Sequence, residues 1–498
     1  MSLPTLITFF IYFVVLLGIG FYFCRKSISI EDYLLGGRKM GAWVTAFSTQ
    51  ASDMSGWLLM GLPGAIYLSG IGNIWIAIGL FIGTVLNWKL VSARLRIYTQ
   101  QTNTITLPCF FEQRFGDPTG LLRIVSAIII LIFFTIYASA QLVAAGKLFE
   151  STFGVQYKIA VIIGAGIIII YTFLGGFLAV CWTDLFQGSL MVLALIIVPT
   201  IAYFKVGGIS TIREAMTSSQ KCLIPQGNGF SPLMIISMMA WGLGYFGQPH
   251  ILVRFMSAKS LGKLTESMSI AIIWVILSLG GAVVIGLIGI GMFDNLDSAK
   301  GEHEKVFIYM INMVMHPWLA GIMLAAILSA IMSTIDSQLL VSSSALTEDF
   351  YQKAIKKNAS QREVVLIGRI CVIIISAIAL ALALHPEETI LMIVAYAWGG
   401  FGAAFGPLVL FGLFSRKTSW QSALAGMVTG TVVLVIWKQL NLGGHLYEIL
   451  PGFIANCLTI FLVNLFISQK DKRVLMQYDE VVNIITARKT LLSKTSSE

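Results

Sequence analysis

Residues 45–70 place a carboxylate, several hydroxyls and helix-breaking residues inside a stretch that is apolar enough to lie in a membrane. The polar members are Ser48, Ser52, Asp53 and Ser55, and the breaking members are Gly56, Gly61, Pro63 and Gly64. An Asp in a bilayer costs about 3 kcal/mol or more, so it usually marks an ion or substrate path. Gly and Pro free backbone carbonyls, which can coordinate a small cation where a helix opens onto a cavity. The stretch predicts such a site, and the structural alternative is a kinked helix whose Asp53 is paired.

A second polar stretch lies at residues 329–344, inside another apolar run. Ser329 and Ser333 are four residues apart and share one helix face, which Asp336 or Ser337 continues. Hydroxyls and carbonyls suit a small hard cation, which takes oxygen ligands. The alternative is that the hydroxyls bond carbonyls of their own helix or let helices pack closely. Opposite a broken helix that carries an Asp, we favour the cation site. Asp336 is equally a proton carrier or a structural partner.

Four further polar residues have two interpretations each. Asp184 falls at the predicted start of a span, which favours a helix N-cap over a role on an ion path. Arg38 is most simply a cation of an inner loop. Tyr137 lies in the middle of a span beside hydroxyl residues and is interpreted as a pocket residue rather than an interface anchor. His250 is either a satisfied polar residue or a pocket donor.

The composition is that of an integral membrane protein. Hydrophobic residues make up 57% of the 498 positions, charged residues 11%, and the mean hydropathy is +0.85, whereas soluble chains carry about 25% charged residues. The apolar runs are about twenty residues long, which favours helices over barrel strands. We predict about thirteen transmembrane helices in an all-α protein, at residues 5–24, 42–70, 72–93, 123–146, 157–178, 185–204, 232–256, 270–292, 316–343, 364–384, 390–414, 420–438 and 447–468.

The basic residues predict the orientation of the chain. The predicted inner loops and tail hold 24 of the 33 Lys and Arg residues, and the predicted outer positions hold eight. This bias favours an N-terminus outside and a C-terminus inside. The first span has no basic residue before it, so we expect an uncleaved helix rather than a signal peptide. The net charge of +9 is explained by loops that face lipid headgroups, and nucleic acid is not implied.

Two breaks lie five spans apart, which predicts inverted repeats. The first is at residues 60–64, and the second is the Gly- and Pro-containing run at 241–250. We therefore predict one transmembrane domain over residues 1–469 and a short cytoplasmic tail at 470–498, with an extra helix at 5–24, a first repeat at 42–204, a second repeat at 232–414 and two additional helices at 420–468. The spacing Gly242-x-Gly244-x-x-Gly247 matches a dinucleotide fingerprint, but it lies mid-membrane and follows no strand, so we reject a nucleotide site.

Two other classes of function are disfavoured. A membrane enzyme would need a nucleophile–base pair or a metal cluster, and the five His residues form no such motif. The six Cys residues have no zinc spacing. A sensor or scaffold would need a signalling domain, and the tail is too short to be one.

Several long motifs resemble the sodium/solute symporter family, and within it the bacterial proline carriers. The resemblance runs from about residue 5 to residue 468. Its main segments are ASDMSGWLLMGLPGA at 51–65, FTIYASA at 134–140, GFLAVCWTD at 176–184, WGLGYFGQPH at 241–250, MSTIDSQLLVSSSALTEDFY at 332–351, YAWGGFGAAFGPLVLF at 396–411, and IWKQL at 436–440 with LYEILPGF at 446–453.

The resemblance implies a LeuT-like core of five-plus-five inverted repeats, in which the first helix of each repeat is broken. It also implies site residues. The sodium ligands would be Ala51, Met54, Ala330, Ser333 and Thr334, with Asp53 required for sodium handling. The proline pocket would comprise Ser55, Gly56, Trp57, Tyr137, Trp241, Tyr245 and Pro249, with His250 nearby. Arg38 and Asp184 match positions of the inner gate and the ion path. Asp336 departs from the family pattern, because a small neutral residue is expected there.

The implied function is import of L-proline coupled to Na+ by alternating access, in the cytoplasmic membrane of a bacterium. We expect a monomer to be functional and lipid to be its surroundings. The alternatives within transport are another small amino acid or a short carboxylate as substrate, and H+ or Li+ as the coupling ion. Asp336 keeps the proton alternative open.

Overall fold

The computed structural model describes residues 3–24, 30–174, 176–224, 231–356, 359–444 and 446–495. Within these ranges the regular secondary structure is helical, with two isolated backbone bridges, Met40 to Ala258 and Gly70 to Cys222. Several parts of the predicted loops lie outside the described residues. They are Arg25, Lys26 and Lys357 of the predicted inner loops, residues 225–230 between the sixth and seventh predicted spans, and the end of the tail.

The first part of the chain, from residue 3 to residue 218, forms eleven α-helices. They are α1 (Leu3–Cys24), α2 (Ile30–Leu35), α3 (Ala42–Asp53), α4 (Leu62–Ser69), α5 (Ile74–Leu86), α6 (Ala93–Gln101), α7 (Leu107–Phe115), α8 (Leu121–Phe153), α9 (Tyr157–Leu174), α10 (Phe177–Val206) and α11 (Ile209–Ser218). Turns of 3₁₀-helix cover Gly36–Arg38 and Ile71–Asn73, and π-helical turns cover Trp57–Gly61 and Asn87–Ser92.

The second part forms ten more. They are α12 (Pro232–Met239), α13 (Pro249–Ser257), α14 (Leu261–Met292), α15 (Val306–Val314), α16 (Pro317–Ser344), α17 (Gln361–Ala383), α18 (Ile390–Phe414), α19 (Trp420–Gln439), α20 (Ile449–Phe466) and α21 (Lys472–Thr495). Turns of 3₁₀-helix cover Ala240–Gly247, Glu302–Lys305 and Leu442–Gly444, and a π-helical segment, Ala345–Ile355, continues α16.

Helices occupy all thirteen predicted segments. Ten helical stretches of the described chain are long and apolar enough to cross a membrane, and three shorter apolar helices, Trp57–Ser69, Tyr157–Ile170 and Pro232–Gly247, lie in predicted spans two, five and seven. Two of these three belong to the predicted broken spans, so their shortness follows from the breaks. The all-helical membrane architecture is confirmed, while the count of thirteen crossings and the repeat boundaries stay predictions.

The first break lies between α3 and α4. Met54 has φ −81° and ψ 84°, so the chain leaves the helix directly after Asp53. A Cβ on Gly56 would lie 2.8 Å from the Cβ of Ala144 on α8, so only glycine lets the break pack this closely. Pro63 lies where the π-helical turn passes into α4, and its ring removes one backbone N–H donor from the helix at this point.

The second break separates α12 from α13. Residues 240–247 tighten into 3₁₀-helix, Gln248 is extended, and Pro249 opens α13. A Cβ on Gly244 would overlap the indole of Trp398 on α18, because the two would be 1.9 Å apart. Both breaks therefore lie against long helices, with α8 beside the first and α18 beside the second.

Two expectations need correction. Asp184 does not cap a helix: α10 begins at Phe177, seven residues earlier, and Asp184 is fully buried in its interior. The N-cap interpretation was wrong because the apolar residues before Asp184 extend the helix. Arg114 and Arg254 are among the 24 basic residues that were predicted to lie in inner loops, but they are buried in α7 and α13.

Candidate functional site

Asp53, the last residue of α3, receives hydrogen bonds from three predicted pocket residues. The Tyr245 hydroxyl donates to Asp53 Oδ2 at 2.6 Å. The backbone carbonyl of Asp53 accepts from Trp57 Nε1 at 3.1 Å and from the Tyr137 hydroxyl at 3.3 Å. Asp53 Oδ1 is buried and has no hydrogen-bond partner among the described residues. The carboxylate is therefore only half satisfied, which favours a ligand site over the alternative of a structurally paired Asp.

Gln141 is a site residue that the sequence reasoning missed. Its amide is fully buried on α8, donates from Nε2 to Ser55 Oγ at 3.0 Å, and accepts from the backbone N–H of Gly56 at 3.2 Å. It thereby holds the unwound backbone between α3 and the following π-helical turn. The available signal was its position four residues after Tyr137, on the same helix face.

Oxygen atoms from α3 and α16 converge at the carbonyl of Ala51, two residues before Asp53. The carbonyl of Ala51 accepts from Ser333 Oγ at 2.7 Å and from Thr334 Oγ1 at 3.3 Å, and Ser333 Oγ is 3.3 Å from the carbonyl of Ala330. Met54 is buried beside them, and its non-helical backbone takes its carbonyl out of the helical ladder. This set contains only oxygen donors, so it fits a small hard cation such as Na+.

Aromatic rings form one wall of the site. The rings of Trp57 and Trp241 lie 6.1 Å apart, and Trp241 continues to Tyr447 at 5.4 Å. Trp241 and Tyr447 line a cavity of about 450 Å³. Trp398 on α18 fixes the second break, because its Nε1 donates to the carbonyl of Trp241 at 2.8 Å and its ring meets Tyr245 edge-on at 5.0 Å. Trp398 and Tyr447 were not among the predicted site residues.

His250 and Pro249 lie on the other side of the second break. The His250 ring is fully buried, 5.5 Å from Phe134 and 6.4 Å from Tyr137, and neither ring nitrogen has a partner among the described residues. Pro249 lines a narrow gap of about 20 Å³. A histidine without partners beside Tyr137 favours the pocket-donor interpretation over that of a satisfied polar residue.

A second buried polar cluster lies next to the cation oxygens. Asp184 Oδ2 accepts from Ser48 Oγ at 2.6 Å and lies 3.4 Å from Arg254 Nη2. Arg254 also donates to Ser48 Oγ at 3.0 Å and to Ser337 Oγ at 2.5 Å. The cluster joins α3, α10, α13 and α16. Arg254 was missed because its position near the end of a span made it count as a loop cation.

Arg38 and Asp336 lie apart from the break residues. The nearly buried guanidinium of Arg38 donates to the carbonyls of Thr104 at 2.8 Å, Thr99 at 3.0 Å and Met256 at 3.0 Å. It is thus a tie between segments rather than a solvated loop charge. Asp336 Oδ1 accepts from Thr172 Oγ1 on α9, and its Oδ2 has no partner within the described chain.

Comparisons with known proteins identify the family of the chain. The sequence profile of the Sodium:solute symporter family matches residues 33–430. A sodium/proline symporter of Salmonella typhimurium is 50% identical over 469 residues, which cover 93% of each chain. A sodium/proline symporter of Escherichia coli is 49% identical with the same coverage. The high-affinity proline transporter PutP of Bacillus subtilis is 46% identical over 93% of this chain and 98% of the relative.

Solved structures show the same fold at low identity. A Na+-coupled sialic acid symporter in a substrate-bound outward-open state aligns with a TM-score of 0.79 at 19% identity, over 94% of this chain and 99% of its own. Mhp1, a nucleobase-cation symporter, aligns with a TM-score of 0.55 at 14% identity, over 91% and 99%. By the extent of its sequence match, the chain belongs to the sodium:solute symporter family.

Proposed function

We propose that the chain is a Na+-coupled symporter that imports L-proline. The observation that carries this proposal is that Ala51 and Asp53, two residues apart, contact the proposed cation site and the proposed substrate pocket respectively. Ala51 meets the hydroxyls of α16, while Asp53, two residues later, meets the aromatic residues of the pocket. Relatives that are 44–50% identical over nearly the whole chain carry proline in their names. The chemistry is transport, and no bond of the substrate is made or broken.

Sodium binds where backbone and hydroxyl oxygens already converge. Its ligands are the carbonyls of Ala51, Met54 and Ala330 and the hydroxyls of Ser333 and Thr334. Because Ser333 and Thr334 currently direct their hydroxyls at Ala51, a cation there replaces these hydrogen bonds with metal–oxygen contacts. The end of α3 is then fixed against α16, and Asp53 is held in place for the pocket.

Proline binds beside Asp53 and between the two breaks. Its pyrrolidine ring needs an apolar wall, which Trp57, Trp241 and Tyr245 supply, and its zwitterionic head needs a few directed polar groups. Those groups are the free Asp53 Oδ1, the Tyr137 hydroxyl and the ring nitrogens of His250. Ser55 and Gly56 position the backbone through Gln141, and Pro249 closes the inner side of the pocket.

Release requires the buried Arg254 cluster to open. Arg254 on α13 and Ser48 on α3 belong to the inner halves of the two broken helices, and their partners Asp184 and Ser337 belong to the continuous helices α10 and α16. While these hydrogen bonds persist, the inner halves cannot move away from α10 and α16. We assign Asp184 to this inner closure, and Arg38 to the tie that holds the inner helix ends together.

Coupling supplies the energy for accumulation. Sodium and proline each raise the affinity of the other, because both act on residues 51–54. One net charge that crosses 100 mV supplies about 2.3 kcal/mol. At about 1.4 kcal/mol per tenfold change, the voltage alone supports a proline gradient of about fifty-fold.

The surroundings of the protein follow from the same proposal. We infer a multi-pass protein of the bacterial cytoplasmic membrane with its N-terminus outside and its C-terminus inside, functional as a monomer in lipid. The domain boundaries are those predicted from the sequence, with repeats at residues 42–204 and 232–414. Asp336 pairs with Thr172 through Oδ1, and its Oδ2 has no partner within the described chain, so it is the candidate proton carrier if H+ proves to be the coupling ion.

The test is uptake of labelled L-proline into proteoliposomes under an inward Na+ gradient, with an equal K+ gradient and an equal proton gradient as comparisons. Na+-dependent accumulation is expected. Equal uptake under the proton gradient would overturn the coupling ion and direct attention to Asp336. Absence of proline uptake by correctly inserted protein would overturn the substrate.

A further inference from the structure

A narrow gap runs from the second break towards the end of α16. Both Pro249, in the proposed pocket, and Asp349, in the segment that continues α16, line it. Most of its remaining lining is apolar, including Phe177, Val253 and Leu340. Its volume of about 20 Å³ admits one ion or water molecule and excludes a pyrrolidine ring. The gap therefore lies between Pro249, at the edge of the proposed pocket, and a buried carboxylate, and it is wide enough only for a small ion.

Asp349 has one carboxylate oxygen satisfied and one free. The side chain is 0% exposed. Oδ1 accepts from Arg123 Nε at 2.6 Å and from Thr106 Oγ1 at 2.8 Å. Oδ2 is buried and makes no hydrogen bond within the described chain. A buried carboxylate oxygen without a donor is costly, which is the arrangement expected where a cationic ligand arrives only during part of a cycle.

The charges around Asp349 leave an excess of negative charge. Arg123 lies 3.4 Å from Glu112 and also donates to the backbone carbonyl of Glu348. Lys353 pairs with the other oxygen of Glu112 at 2.5 Å. Among the side chains that the structure describes, two cations thus face three carboxylates, those of Glu112, Glu348 and Asp349. In a site with little water, this imbalance attracts a further cation.

We propose that Asp349 is a release-path site for a monovalent cation, which its Oδ2 holds at the inner end of the gap. This inference rests on the proposed function, because the cations that travel inwards are then Na+ and the secondary ammonium group of the amino acid. At the width seen in the structure, the gap admits Na+. The ammonium group of the amino acid reaches Asp349 only after the gap widens. Ser344, which also lines the gap, supplies a nearby hydroxyl oxygen.

The test measures inhibition of uptake by cation on the inner side. Proteoliposomes with uniformly oriented protein are loaded with increasing Na+ in one series and increasing L-proline in another, and initial uptake from outside is followed. Asp349→Asn should raise the internal concentration that half-inhibits uptake about tenfold and leave the external KM for proline within twofold. Asp349→Glu keeps a carboxylate at this position, so it should retain the wild-type internal half-inhibitory concentration. A shift in the Na+ series identifies Na+ as the ligand, and a shift in the proline series identifies the ammonium group.

The matched control is Glu112→Gln, which removes a carboxylate from the same cluster but not from the gap. Because Glu112 adds to the negative charge around Asp349 but does not line the gap, this variant should raise both internal half-inhibitory concentrations by less than about threefold. Equal shifts for Asp349→Asn and Glu112→Gln, or no shift for Asp349→Asn, would overturn the inference. If Asp349→Asn does not reach the membrane, Thr106→Val replaces it. This variant removes one hydrogen-bond donor to Asp349 Oδ1, so the carboxylate should hold a cation more tightly and the internal half-inhibitory concentration should fall about threefold. An unchanged value would overturn the site. Failure of wild-type Na+-driven uptake would instead reject the proposed function.

Discussion

Asp53 concentrates the proposed chemistry in one residue, because its side chain and its backbone carbonyl face the same aromatic groups. Tyr245 donates to the carboxylate, while Tyr137 and Trp57 donate to the carbonyl. Oδ1 has no partner among the described residues and is therefore available to a ligand. The arrangement makes the position of the carboxylate depend mainly on Tyr245.

Tyr245→Phe tests this dependence. Loss of the hydroxyl leaves the buried carboxylate without a donor among the described residues, at a cost of about 1.5–3 kcal/mol for a hydrogen bond to a charged group. Na+-dependent proline affinity should fall about 10- to 100-fold, as measured by binding of labelled proline to purified protein.

Tyr157→Phe is the matched control, because the Tyr157 hydroxyl donates to the backbone carbonyl of Ala383, away from both breaks. It should change proline affinity less than twofold. Equal losses for the two variants would mean that Tyr245 acts only through general packing.

Single residues also show where the sequence was informative. Asp53 and Ser333 were predicted because a carboxylate and clustered hydroxyls are unusual in apolar runs. Gln141 and Arg254 were missed, since their partners Ser55 and Ser48 are 86 and 206 residues away. Periodicity within a helix gives no information on such pairings. Asp184 was assigned to a cap because the start of α10 was placed too late.

At the level of elements, the two breaks are held open by glycines that lie against continuous helices. Gly56 packs on α8 and Gly244 packs under Trp398 on α18. The positions of both breaks were predictable, because Gly and Pro interrupt helices by their own backbone chemistry. The helices on which the breaks pack were not predictable from spacing.

Gly56→Ala tests whether close packing on α8 sets the position of the first break. The added Cβ would lie 2.8 Å from the Cβ of Ala144, and overpacking of this kind costs about 1–3 kcal/mol. Proline affinity should therefore fall about fivefold or more, and the double variant Gly56→Ala/Ala144→Gly should recover most of it. Binding of labelled proline measures both.

Gly166→Ala is the control, since a Cβ at this helical position has nothing within 4 Å. It should leave affinity unchanged and slightly stabilise α9. A Gly56→Ala variant with normal affinity, or one that the Ala144→Gly change does not rescue, would contradict the packing argument.

For the whole molecule, composition and charge predicted the class and the orientation, and the helical architecture agrees with the class. The tail was predicted only as a short cytoplasmic segment of residues 470–498, and it contains basic and acidic residues in alternation with apolar ones. It forms α21, which buries Val474 and Val481 and pairs Asp479 with Arg416. Its mixed charge concealed an amphipathic helix, and its docking surface on α6 and α7 is formed by residues far away in the chain.

Orientation is tested by labelling with a membrane-impermeant maleimide. In a chain whose six native cysteines are replaced by serine, Ser218→Cys at the end of α11 should be labelled in intact cells. Lys472→Cys at the start of α21 should be labelled only after the membrane is permeabilised. Both side chains are exposed, so access depends on the side of the membrane. The reverse pattern would contradict the orientation that the basic residues predict.

The measurement that tests the central claim most directly is the thermodynamic linkage between the two ligands. Proline affinity is measured at low and saturating Na+, and Na+ affinity at low and saturating proline, in the wild type, Ser333→Ala and Ser329→Ala. We predict that each ligand raises the affinity of the other by the same factor. Ser333→Ala should weaken Na+ binding about tenfold, whereas Ser329→Ala, whose hydroxyl bonds Ala325 and Tyr12, should not. Affinities that are independent of each other in the wild type would contradict a cation and a substrate site that share residues 51–54.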